Sequence, residues 1–226
     1  MPATSIREFT DNSLDPHIRG HLHTPENANP NALVLTHGAG SNSQSPLLVA
    51  VAEAFTSAGF TVLRCDLPYR QARPYGPPGP GDAARDRAGL KNAIAKIKEL
   101  CTGRIFLGGH SYGGRQSSML CAEQPDLVRG LLLLSYPLHP PRKPEQLRTQ
   151  HFTSLRTPIL FIQGTRDPFG SIAEIEQSLK SIPAKTKLLA VEGAGHDLGF
   201  KGKAKGNQLP GKVLEEFQNF LLQNFL

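Results

Sequence analysis

Six short runs rich in apolar and β-prone residues punctuate this chain: NALVLTHG, FTVLRCD, RIFLGG, GLLLLSYP, TPILFIQG and TKLLAVEG. Between them lie segments whose apolar residues recur every three to four positions. Such alternation of strand and helix builds a mostly parallel sheet with helices on both faces. GLLLLSYP, with four consecutive leucines, has no polar face at all. That pattern belongs to a strand covered on both sides. The pattern predicts an α/β, doubly wound sheet, and it fixes where a site must lie. In open α/β sheets ligands bind beyond the carboxyl ends of the strands.

The helical segments carry their own punctuation. Ser45 and Pro46 open a helix with an apolar face of Leu47, Leu48, Val51 and Phe55, and Gly59 closes it. Asp82 is expected to cap a longer helix, whose face is Leu90, Ile94, Ile97 and Cys101. YGGRQSSMLCAEQ reads as a helix ended by Pro125. Ser171 and Glu174 form a capping box before Ile172, Ile175, Leu179 and Ile182. Val213, Phe217, Phe220, Leu221 and Phe225 make a last amphipathic helix. LPYRQARPYGPPGPG holds five prolines and is expected to be irregular.

A length of 226 residues suits a single domain over 1–226. A core of that size needs neither disulfides nor a structural metal. The three cysteines, Cys65, Cys101 and Cys121, form no metal or redox spacing and read as reduced thiols. The net charge is +6, but the basic residues are scattered and accompany no nucleic-acid motif. Their one cluster, KGKAKG with Lys201, Lys203 and Lys205, reads as a solvated loop. No apolar run approaches the roughly 18 residues of a membrane span. The first residues lack the apolar core of a signal peptide, so a cytoplasmic location is expected.

Chemistry concentrates in LGGHSYGGRQ. Gly109-His110-Ser111-Tyr112-Gly113 has the form G-x-S-x-G between a strand and a helix. That is the context of a nucleophile elbow, a sharp turn that lifts a serine above the sheet. A phosphate cradle is the rival reading. It lacks the lysine of a P-loop and the glycine spacing of a dinucleotide turn. A serine nucleophile needs a base, and the base needs an acid to orient it. His196 follows the last strand and Asp167 the one before it. Ser111, Asp167 and His196 thus stand in the order serine, acid, histidine, each just past a strand. Asp66 and Asp197 are the reserve acids. The backbone N–H groups of Tyr112 and Ala39 are the candidate oxyanion donors. His37 reads as a structural loop residue.

The chain resembles an α/β-hydrolase. LTHGAGSN, DLPYRQ, GGHSYGGRQ and GTRDPFG resemble the small hydrolase-like family of testis-expressed protein 30 and NSL-complex subunit 3. It is also similar to the dienelactone-hydrolase group, which typically uses a cysteine where this chain has Ser111. The resemblance implies the α/β-hydrolase fold. It also admits members that act as complex subunits. Only LHPPRKPEQLRTQHFTSLRT separates two strands where a lid commonly sits, so a minimal lid or none is expected. Tyr69, Arg70, Arg115 and Tyr136 are the candidate substrate contacts, with structural bracing as the alternative for each arginine. For Arg115 the bracing alternative is a contact from its helix to the PYR loop.

The leading expectation is a serine hydrolase that cleaves an ester or related acyl bond of a small molecule, without metal or organic cofactor. The alternatives are a scaffold on a hydrolase fold, or the same three residues acting on a thioester, a peptide or in acyl transfer. The oligomeric state stays open.

Overall fold

The computed structural model describes residues 4–200 and 208–225. The KGKAKG run at 201–206 lies outside the described residues, as do the side chains of Leu221 and Phe225. The strands are β1 (Ser5–Asp11), β2 (Ile18–Thr24), β3 (Ala32–Thr36), β4 (Thr61–Cys65), β5 (Ile105–His110), β6 (Leu131–Leu134), β7 (Ile159–Gly164) and β8 (Thr186–Val191). The helices are α1 (Pro46–Ser57), α2 (Pro68–Ala72), α3 (Asp82–Leu100), α4 (Tyr112–Glu123), α5 (Ile172–Leu179) and α6 (Leu209–Phe225).

All eight strands form one sheet in the order β1-β2-β4-β3-β5-β6-β7-β8. From β4 to β8 every pair is parallel, while β1–β2 and β2–β4 are antiparallel. The central strands are buried on both faces, and successive side chains leave in opposite directions. Ala32, Val34, Leu107, Leu131, Leu133, Ile159 and Phe161 pack with α3 and α4. Leu33, Leu35, Phe106, Leu132, Leu134, Leu160 and Ile162 pack with α1 and α6. Two cores, one per face, explain why these strands have no polar side. Phe55, Phe106 and Phe217 meet edge-on at about 5 Å between centroids. Each buried side chain of this kind contributes roughly 1.5–3 kcal/mol.

Three details depart from the sequence pattern. β1 and β2 are not predicted, because SIREFTD and IRGHLHT mix charge with few apolar residues. They lie at the sheet margin, where β1 is largely exposed and little hydrophobic patterning is required. The proline-rich stretch is not wholly irregular: Pro68 opens α2 at the first helical position, where a missing N–H costs nothing. Asp82 is the first residue of α3 rather than its cap, which is Gly81 at φ 90°.

β3 lies between β4 and β5, and the chain reaches β4 on one side before crossing to β5 on the other. The loops leaving β3 and β5 therefore diverge and open a crevice. This is the switch point at which such sheets bind ligands. Among the described residues, no helix is long and apolar enough to cross a membrane.

Candidate active site

Ser111 stands at the turn between β5 and α4 with φ 51° and ψ −117°. A non-glycine residue rarely adopts that backbone, and the surroundings must hold it there. Its N–H donates to Leu134 O of β6 at 2.8 Å. The turn is sharp enough that a Cβ on Gly109 would come within 2.7 Å of the Gly113 and Gly114 backbone. A Cβ on Gly113 would reach His37 O at 2.5 Å. Strand, helix and the β3 loop thus meet with no room for side chains, which accounts for the glycines flanking the serine.

Ser111 Oγ lies 2.8 Å from His196 Nε2, and His196 Nδ1 lies 2.8 Å from Asp167 Oδ2. The carboxylate only accepts, so the neutral ring carries its proton on Nδ1 and leaves Nε2 to accept from the serine. The Asp167 side chain is wholly buried, whereas that of His196 is partly open. Two further donors fix the carboxylate: Gln163 Nε2 to Oδ2 at 3.0 Å and Phe169 N–H to Oδ1 at 2.9 Å. Asp167, not a reserve acid, is the partner of the imidazole. Asp66 instead pairs with Arg19 and accepts from Ser43 N–H. Asp197 accepts from Gly199 N–H.

A cavity of about 420 Å³ opens over Ser111. Gly38 to Ser41 from the β3 loop form one wall, and Leu47, Phe169 and Phe200 supply apolar surface. Neither the Ala39 N–H nor the Tyr112 N–H donates a hydrogen bond among the described residues. For Tyr112 this follows from its place as the first residue of α4, where no carbonyl lies one turn back.

The four expected substrate contacts do not line this cavity. Tyr69 is buried beneath the β3 loop. Arg70 is buried too, and its guanidinium donates to the carbonyls of Ala39, Ser41, Arg73 and Gly76. Tyr136 is fully buried, with its hydroxyl donating to Arg148 O at 2.7 Å. Arg115 does not brace the PYR loop; it stands by Tyr136, Arg148 and His151. A strand end marks the correct layer of the fold, but not which way a side chain turns.

Residues 29–221 match the family described as alpha/beta hydrolase domain. The chain belongs to the alpha/beta hydrolase family. It is 30% identical over 117 residues to 2-(acetamidomethylene)succinate hydrolase of Mesorhizobium japonicum, a stretch covering 51% of this chain and 39% of that relative. Dienelactone hydrolase from Anabaena variabilis has a similar fold, with TM-score 0.72, 20% identity and 98% of both chains covered. XC6422 from Xanthomonas campestris, described as an α/β serine hydrolase without lid, aligns with TM-score 0.73 at 16% identity, covering 96% of this chain and 95% of that one.

In this alpha/beta hydrolase the segment between β6 and β7 holds a single 3₁₀ turn, Phe152–Ser154, and no obvious lid. Two residues at the site escape the sequence pattern. His110 Nε2 lies 2.8 Å from the His196 carbonyl oxygen, and burial lowers its pKa to about 4. The Phe169 ring stacks on the His196 imidazole at 4.2 Å. His110 occupies a position that the elbow motif leaves free. Phe169 follows Asp167 by two, and only the three-dimensional turn aims it back. Among the described residues, no group of three or more His, Cys, Asp or Glu could hold a metal.

Proposed function

We propose that this alpha/beta hydrolase cleaves esters of uncharged, largely apolar acyl groups through an acyl-enzyme on Ser111. The observation that carries the reading is the unbroken chain from Ser111 Oγ through His196 to buried Asp167, both links at 2.8 Å. Ser111 Oγ attacks the ester carbonyl and passes its proton to His196 Nε2. Asp167 orients the ring and stabilises its charged form. The Tyr112 and Ala39 N–H groups receive the oxyanion. His196 then protonates the departing alkoxide, and water releases the acyl group by the same path.

The acyl preference rests on the cavity wall. Among the described lining residues there is no arginine or lysine, and Leu47, Phe169 and Phe200 are apolar. The proposal includes the narrower kinship with testis-expressed protein 30 and NSL-complex subunit 3, which rests on the motifs around Ser111 and Asp167. A scaffold has no need of the hydrogen-bonded Ser111, His196 and Asp167 together, so the enzymatic reading is preferred.

A fluorophosphonate probe tests the mechanism. Native protein should be labelled on Ser111, and Ser111→Ala should not. His196→Ala should lower turnover of a p-nitrophenyl ester by at least about a thousandfold while the fold persists. Absence of labelling at every probe concentration would reject the mechanism. Across esters of one alcohol, neutral acyl groups should exceed anionic ones in kcat/KM; the reverse order would reject the acyl assignment.

A further inference from the structure

We propose that Tyr69, anchored by Asp86, is a positioning residue that aims the Ala39 N–H at the oxyanion. The inference rests on the hydrolase reading above and adds to it the device that builds the oxyanion site.

The argument begins with peptide geometry. In a trans peptide the carbonyl of one residue and the N–H of the next point in opposite directions. Among the described residues the one cis bond is Asp15–Pro16, so the Gly38–Ala39 and Ala39–Gly40 peptides are trans. Gly38 O accepts from Tyr69 Oη at 3.2 Å, from His37 Nδ1 at 2.9 Å and from Ser41 N–H at 3.1 Å. Ala39 O accepts from Tyr69 Oη at 2.9 Å and from Arg70 Nη2 at 3.0 Å. Both carbonyls are therefore pulled towards buried Tyr69. The N–H groups of Ala39 and Gly40 must face away from Tyr69, and both residues line the cavity over Ser111. Among the described residues the Tyr69 hydroxyl is the one donor common to both carbonyls, so it ties the directions of the two peptides together.

Tyr69 is itself fixed from below. Its N–H donates to Asp86 Oδ1 at 3.0 Å, and the Tyr112 hydroxyl donates to Asp86 Oδ2 at 2.8 Å. The Tyr69 and Tyr112 rings meet at 90° with centroids 5.8 Å apart. Asp86 is fully buried in α3. A carboxylate in such a place is costly unless its oxygens are satisfied. Here the two oxygens are spent on two residues: the one that holds the Ala39 peptide and the one that carries the other oxyanion donor. The spacing between the two donor N–H groups is thereby referred to a single side chain. Burial pushes the Tyr69 phenol up to about 12, so it remains a donor throughout the working pH range. His37 completes the clamp as a neutral ring, since its Nε2 accepts from Leu67 N–H while Nδ1 donates to Gly38 O.

Tyr69→Phe removes the hydroxyl and keeps the ring. With folded protein, kcat should fall about ten- to hundredfold while KM stays within about twofold, because the donor acts on the transition state. A trifluoromethyl ketone, which adds Ser111 Oγ to its carbonyl and places an oxyanion at the same donors, should lose affinity by the factor lost from kcat/KM. The acid product should bind unchanged. Asp86→Asn should shift kcat and ketone affinity in the same direction by a smaller factor, and it carries the test if Tyr69→Phe does not fold.

A folded Tyr69→Phe with kcat and ketone affinity within twofold of the parent would overturn the inference. So would a loss confined to KM or to thermal stability. A parent protein that forms no Ser111 adduct would remove the hydrolase reading, and this inference with it. A labelled parent with an unaffected Tyr69→Phe would remove the inference alone.

Discussion

His110 donates from Nε2 to the backbone carbonyl of His196 at 2.8 Å. A carbonyl can only accept, so the proton sits on Nε2, and the pKa of about 4 keeps the ring neutral. The residue before the serine therefore holds the loop that delivers the imidazole to that serine. His110→Ala should leave the carbonyl unpaired and free the loop. We expect fluorophosphonate labelling of Ser111 to slow about tenfold or more. Stability should fall by roughly 1–3 kcal/mol. His110→Gln, whose amide can donate over a similar reach, should recover part of both. Stopped-time labelling and urea unfolding measure the two effects, and an unchanged labelling rate in His110→Ala would refute the positioning role.

The strain at Ser111 predicts an inverted order of stabilities. Ser111→Ala and Ser111→Gly both lose the bond to His196 and both abolish turnover. Only glycine relaxes at φ 51°. Glycine is ordinarily the less stable choice by roughly 0.5–1 kcal/mol. Here Ser111→Gly should be the more stable of the two by about 1 kcal/mol in urea unfolding. The ordinary order would mean that the elbow carries no strain.

Crowding at the same turn separates two glycines. A Cβ on Gly113 would meet His37 O at 2.5 Å, so Gly113→Ala must push the β3 loop away from α4. A loss of about 2 kcal/mol or more is expected, with reduced turnover. Gly211, in α6, would present its Cβ to open space. Gly211→Ala should raise stability by roughly 0.5–1 kcal/mol and leave turnover alone. Thermal unfolding of the pair, beside ester turnover, checks both.

Sequence pattern reveals what is local or repeated. The parallel strands announce themselves because two cores force both faces to be apolar. Ser111, Asp167 and His196 are legible because each follows a strand, and parallel strands gather their carboxyl ends into one layer. β1 is illegible for the converse reason: at the margin little is buried, so little is patterned. β2 is half buried, but Gly20 and His23 among its buried positions carry no apolar signal. Tyr69, Arg70, Arg115 and Tyr136 share that layer, yet all turn away from the cavity. Their direction depends on which carbonyls need donors, as with Ala39 O and Arg148 O, and no spacing in the chain encodes that. Asp86 sits among helix-face residues, and only the meeting of α2, α3 and α4 shows what its oxygens hold.

Four packed-in histidines make stability depend on pH. Burial lowers His23, His37, His110 and His151 from 6.5 to about 4. Between those values the unfolded chain takes up protons that the folded one refuses. Stability is therefore full above about pH 6.5 and falls as the pH drops towards 4. Each proton contributes a limiting slope of about 1.4 kcal/mol per pH unit. Asp86 works against this at the acid end, since burial raises its pKa and protonation favours the fold there. Urea unfolding at pH 7.5, 6.5, 5.5 and 4.5 should show little change over the first step and a steepening loss over the next two. Differential calorimetry should register net proton uptake on unfolding at pH 5. A flat profile down to pH 4.5 would show that these rings are charged in the folded protein, and the tautomers assigned to His37 and His110 would fall with it.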